Sequence, residues 1–148
     1  MDAITISVRV TAPDPDVARV SIRRRQFSIG RPLEFDEASP RVAAIEYALG
    51  AVGGEVVNGL RAFADRRRLV INAIEAVVTG ELANGLTYLE VIGEQGQPRI
   101  ARIHVKVFVA SADVAATGIL FEHVLDRLPL VCTLRAALAL TIELVPTP

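Results

Sequence analysis

The sequence predicts an α+β fold, and three observations carry that reading. Apolar and polar residues alternate with period 2 near the N-terminus and again over residues 98–109, as in half-buried strands. Between these stretches, residues 41–64 carry apolar side chains every three or four positions, the stripe of a core helix. Strand-like and helix-like stretches come in blocks, which disfavours a parallel βαβ sheet.

Ile4, Ile6, Val8 and Val10 alternate with Thr5, Ser7, Arg9 and Thr11, predicting a first strand. Ala12-Pro13-Asp14-Pro15-Asp16 has turn chemistry, and alternation resumes over residues 17–23, so the two runs form a hairpin. Residues 26–29 and 33–35 are short strand extensions broken by Gly30 and Pro32. Helix entry falls at Asp36-Glu37-Ala38-Ser39-Pro40, with Ser39 as cap and Pro40 in the first helical position. In the helix that follows, Gly50, Gly53, Gly54 and Gly59 each cost roughly 1 kcal/mol relative to alanine, which points to close approach of another backbone or a ligand. Asp65-Arg66-Arg67-Arg68 ends it, with cations suited to the negative helix terminus.

Three strand-like runs come next, over residues 69–79, 86–92 and 98–109, with Asn84-Gly85 and Gly93-Glu94-Gln95-Gly96 as hairpin turns. In the last run Ala101, Ile103, Val105, Val107 and Val109 form an apolar face, and Arg102, His104 and Lys106 a basic one. Ser111-Ala112-Asp113 starts a second helix with Val114, Leu120, Phe121, Val124 and Leu125 on one side. A short helix follows Leu128-Pro129, and residues 137–145 make the final strand.

The 148 residues fit one domain, 1–148, with a single core. A net charge of −1 and a pI near 6.1 give no pull toward nucleic acid or an anionic membrane. One cysteine rules out an internal disulfide and a cysteine-rich metal site, and suits a reducing cytoplasm. The N-terminal residues carry no secretory signal, and no apolar run approaches the ~20 residues that span a bilayer, so a cytoplasmic location is expected. Hydrophobic residues make up 51% and the mean hydropathy is +0.40, an apolar surplus that predicts a homodimer.

Arg127-Leu128-Pro129-Leu130-Val131-Cys132-Thr133-Leu134-Arg135 resembles a motif of the osmotically inducible protein C and organic hydroperoxide resistance (OsmC/Ohr) family, in which Cys-Pro-Val/Ile opens a short helix and Thr-Leu follows. Leu128 stands where that cysteine would be, and the lone Cys132 falls four places later. Glu46-Tyr47-Ala48-Leu49-Gly50-Ala51-Val52-Gly53-Gly54-Glu55 is similar to the family's Glu-Leu-Leu-Leu-Ala-Ala-Leu-Gly-Ser-Cys, and Leu60-Arg61-Ala62-Phe63-Ala64-Asp65-Arg66 continues in step. The resemblance implies antiparallel sheets packed on central helices in an intertwined homodimer. It puts Glu55 at the position of the peroxide-attacking cysteine, Leu128 at that of the resolving one, and Glu46 at a glutamate that orients an active-site arginine. That arginine is Arg23, Arg24 or Arg25, with Arg31 a further candidate.

Family members reduce organic hydroperoxides through a thiolate that attacks the O–O bond and a second thiol that closes a disulfide. Glutamate forms no sulfenic acid and leucine resolves none, so loss of peroxidase chemistry is expected here. The leading expectation is a non-redox dimer-interface pocket lined by Glu55, Leu128, Glu46 and an N-terminal arginine, taking a small apolar or amphipathic molecule without cofactor or metal. Three alternatives stand beside it: an enzyme using Glu55 as general base or acid with an arginine as electrostatic partner, Glu46 being a further catalytic candidate; a structural or partner-binding remnant; and a peroxide-stress protein like the family at large. Glu46 and Glu55 are nine positions apart, roughly 180° around a helix, which argues against a carboxylate pair. A charged Glu55 inside an apolar helix needs a partner. His104 and His123 lack ligand spacing for a metal, and Cys132 is expected to be a small buried core residue.

Overall fold

A computed structural model describes residues 3–34 and 39–148. The chain divides into two compact units, Met1–Ala48 and Leu49–Pro148.

The first unit carries an antiparallel three-stranded sheet of β1 (Arg9–Asp14), β2 (Val17–Ile22) and β3 (Arg25–Ile29), in that order. Val17 and Val20 are its buried strand residues. The first strand begins later than the alternation of Ile4 to Val10 predicts, and it runs through Ala12-Pro13-Asp14, which was expected to be turn. Pro13 is tolerated because β1 lies at the sheet edge, where a missing N–H breaks no ladder. The turn is Pro15-Asp16, closed by Asp14 Oδ1 accepting from the Asp16 N–H at 3.2 Å. Arg23-Arg24 makes the two-residue turn between β2 and β3, with Arg23 at φ 54°.

Ser39 and Pro40 do not start the long helix. Ser39 Oγ accepts from the Arg41 N–H at 3.2 Å, and α1 spans Ala44–Arg66. Phe35 and Asp36-Glu37-Ala38, assigned to a strand extension and to the helix entry, lie outside the described residues.

The second unit packs three helices and a sheet around one core. Val52, Val56, Leu60 and Ala64 recur every fourth residue along α1 and are buried. They meet β5 (Arg99–Ser111), whose Ile103, Val105, Val107 and Val109 are buried as its alternation predicts. β5 pairs antiparallel with β4 (Ile71–Ala83) and parallel with β6 (Ala139–Thr147). The α+β class is as expected, but this parallel pair was not. Parallel neighbours need a crossover, here α3 (Val114–Leu125) and α4 (Pro129–Ala137).

Residues 86–92 form no strand. Asn84, at φ 53°, turns the chain into α2 (Gly85–Tyr88), a single helical turn, and Glu90 is left-handed as well. Asn84-Gly85 therefore opens a helix rather than a hairpin, and β4 and β5 pair directly across the connection. Within the expected Ser111-Ala112-Asp113 start, Asp113 caps α3 by accepting from the Ala116 N–H at 2.8 Å. Val114 is exposed rather than part of that helix's apolar side.

Candidate functional site

The N-terminus of α4 lacks an acceptor of its own. Its cap residue is Leu128, whose side chain cannot bond an amide, and Pro129 in the first helical position has no N–H. That leaves the N–H groups of Leu130 and Val131, the second and third helical positions that a capping side chain normally serves. Glu55, from the middle of α1, takes both. Leu130 N–H donates to Oε1 at 3.1 Å and Val131 N–H to Oε2 at 3.2 Å. A negative carboxylate thus sits against the positive end of a helix. Val131 is fully buried, so its amide would otherwise be stranded away from water.

Leu128 is buried beside the same helix. A Cβ added to Gly59, one turn beyond Glu55, would lie 2.5 Å from Leu128 Cδ2. Gly53 gives the same close approach to Val78 Cγ2 at 2.7 Å, whereas Gly50 and Gly54 face open space. Two of the four helix glycines are therefore closely approached, by the side chains of Val78 and Leu128 rather than by the backbone or ligand that was expected. Glu55 and Leu128 share one locality, with the carboxylate on the α4 backbone and the leucine filling the space over Gly59.

The other candidate residues have different partners. Glu46 lies in the first turn of α1, where Oε2 accepts from the Ala43 N–H at 2.7 Å, the glutamate half of a capping box. α1 is unbroken, so the ~3.6-residue turn keeps Glu46 and Glu55 on opposite sides of the helix. Arg23, Arg24 and Arg25 are exposed at the β2–β3 turn. Arg31 faces Asp16 at 3.6 Å, next to a cavity of about 210 Å³ that also involves Glu34 and Arg41.

His104 Nε2 lies 3.4 Å from Glu143 Oε2 on the outer sheet face. His123 stands edge-on to Phe63, with ring centroids 6.1 Å apart. Partial burial, then the Arg127 and Arg67 guanidiniums, hold its pKa below the usual histidine value, and Asp126 pulls weakly the other way. Among the described residues no group of three or more His, Cys, Asp or Glu could hold a metal ion. Cys132 corrects the expectation of a buried thiol. It is exposed on α4, and its Sγ donates to the Leu125 carbonyl at 3.7 Å.

Sequence reasoning asked for a partner to Glu55 and looked for an arginine. It missed the amides of α4. The signal was present: a helix opening Leu-Pro has no capping side chain of its own, so an acceptor must come from elsewhere.

No family model matches the sequence, and no curated protein does. Solved structures do. An OsmC-like protein from Mycoplasma pneumoniae superposes with a TM-score of 0.80 at 14% identity, covering 100% of both chains. An organic hydroperoxide resistance protein OsmC from Legionella pneumophila gives 0.72 at 6% identity, over 96% of this chain and 98% of that one. The organic hydroperoxide resistance protein OhrB of Bacillus subtilis gives 0.61 at 15% identity, over 95% and 98%. The chain has the OsmC/Ohr fold. No helix among the described residues is long and apolar enough to cross a membrane.

Proposed function

We propose that this chain is an OsmC-fold protein without thiol peroxidase activity, acting as a homodimer that holds a small apolar or amphipathic molecule beside the Glu55–Leu128 pair. One observation carries the loss of chemistry: the Glu55 carboxylate is bound by two backbone amides of α4. Peroxide reduction needs a sulfur that accepts oxygen and a second sulfur that releases it as water. A carboxylate and an isobutyl group supply neither. Both Glu55 oxygens are already engaged, which also counts against the acid/base enzyme. Cys132 is four residues from position 128 and stands without a second thiol in the chain.

The dimer reading rests on unpartnered apolar surface. Ile4 and Ile6 are 89% and 83% exposed, and Val8 and Val10 about half exposed. On α1 the exposed side carries Gly50, Ala51, Gly54 and Asn58, small enough for close helix packing. In this reading residues 1–148 work as one OsmC-like domain in a reducing cytoplasm, and Arg23, Arg24 or Arg25 is the pocket guanidinium. The packing of Leu128 over Gly59 favours a second reading, a structural or partner-binding remnant whose cavity has been filled.

The test is a peroxidase assay with cumene hydroperoxide and dithiothreitol, run beside native mass spectrometry of the purified protein. We expect no turnover, a dimer mass, and an adduct of a few hundred daltons. A dimer without adduct supports the remnant. Turnover by the wild type that disappears in Cys132→Ser refutes the loss of thiol chemistry.

A further inference from the structure

α1 ends in a left-handed turn. Leu69 N–H donates to the Ala64 carbonyl at 2.9 Å and Arg68 N–H to that of Asp65 at 3.1 Å, with Arg68 at φ 57°. Helices that finish this way usually place glycine at that position. A side chain held there carries backbone strain, as it does at Arg23, Asn84 and Glu90.

Beside the turn lies a cleft of about 270 Å³ lined by Arg67, Arg68, Leu69, Ala116, Ile119 and Leu120. Its floor is aliphatic, with Leu120 buried and Ile119 71% exposed. Its charge is of one sign. Arg31, Arg102 and Arg135 each face a carboxylate, but among the described residues no acid lies within ion-pair distance of Arg67 or Arg68. Asp113, at the head of α3, is committed to the Ala116 amide. Arg66 lies over the Phe63 ring at 5.1 Å and adds another cation to this end of α1.

We propose that this cleft binds an anionic amphiphile, a medium-chain aliphatic carboxylate whose head group meets the Arg67 and Arg68 guanidiniums and whose tail lies along Leu69, Ala116, Ile119 and Leu120. Guanidinium suits a carboxylate because two parallel N–H donors match its two oxygens. The aliphatic lining selects against small inorganic anions, and the two arginines, which meet no acid among the described residues, select against cationic amphiphiles. The cleft uses none of the residues of the Glu55–Leu128 pair.

The experiment titrates hexanoate, octanoate and decanoate into the isotope-labelled full chain, followed by amide and histidine NMR. Affinity should rise about fourfold per added methylene, from the apolar area removed from water. Shifts should concentrate at residues 67–69 and 116–120. A carboxylate beside Arg67 should also raise the titration midpoint of His123, which that arginine now lowers. Octanol should bind about tenfold more weakly, as expected for loss of a charged hydrogen-bond partner, and octyltrimethylammonium should not bind. Arg68→Gly keeps the turn and should weaken octanoate by at least about tenfold, and Arg67→Gln should do likewise. Affinity independent of chain length overturns the proposal. So do equal binding of the ammonium ion, unchanged affinity in Arg68→Gly/Arg67→Gln, and shifts confined to residues 52–59 and 128–131.

Discussion

Replacing Glu55 by alanine tests the role of the carboxylate directly. The change removes the acceptor for two amides, one of them on the fully buried Val131. Loss of a capping side chain costs about 1 kcal/mol, within a range of about 0.5–2. A buried amide left without a partner costs about 1–3 kcal/mol, and loss of an anion at a helix N-terminus about 0.3–1. These terms overlap, and Glu55 is only half-buried, so the net expectation is about 2–3 kcal/mol. For a chain of this size each kcal/mol lowers Tm by about 2–4 °C, giving a loss of about 5–10 °C. Glu55→Gln keeps one acceptor oxygen but no charge, and should lose about 1 kcal/mol. The assay is urea unfolding at matched protein concentration, with amide hydrogen exchange at Leu130 and Val131 as the local readout. A Glu55→Ala variant within about 0.5 kcal/mol of wild type, or unchanged exchange at those two amides, would refute the clamp.

Other expectations follow from the same geometry. Gly59→Ala drives a methyl into Leu128 and should destabilise by about 1–3 kcal/mol in urea unfolding, whereas Gly59→Ala/Leu128→Val should lose less than the two single changes summed. Arg68→Gly relieves the left-handed strain and should raise stability by about 1 kcal/mol, seen as a higher Tm. His123 should titrate below the usual histidine value by NMR, and Arg127→Gln or Arg67→Gln should raise it. A histidine with a depressed folded pKa binds fewer protons than in the unfolded chain, so its neutral form favours folding above the unfolded value of about 6.5. That advantage is lost as pH falls from there through the folded value. His123→Asn should therefore flatten the stability profile between about pH 7 and 5. Cys132 should react with a disulfide reagent in the native protein, one thiol per chain, and Cys132→Ser should leave Tm within about 1 °C.

The core elements were legible because burial imposes a period. The alternation of Ile103 to Val109 and the stripe from Val52 to Ala64 each mark a surface that faces the same interior. The connection between β4 and β5 was not legible, since Leu86, Tyr88 and Val91 look like a strand while left-handed Asn84 and Glu90 turn the chain away. Ile92, 99% exposed, follows the strand pattern without any core to meet. The direction of β6 was hidden because alternation is the same read either way along a strand. At Glu55 the partnership was not legible. The charge of Glu55 announced a need for counterparts, but backbone donors 75 and 76 residues away leave no mark in side-chain type.

The double amide contact of Glu55 also constrains how this fold can change. A thiol at position 55 would supply neither of the two oxygens that now straddle Leu130 and Val131, so such a replacement loosens the start of α4. The carboxylate therefore ties position 55 to the integrity of a helix more than seventy residues further along the chain.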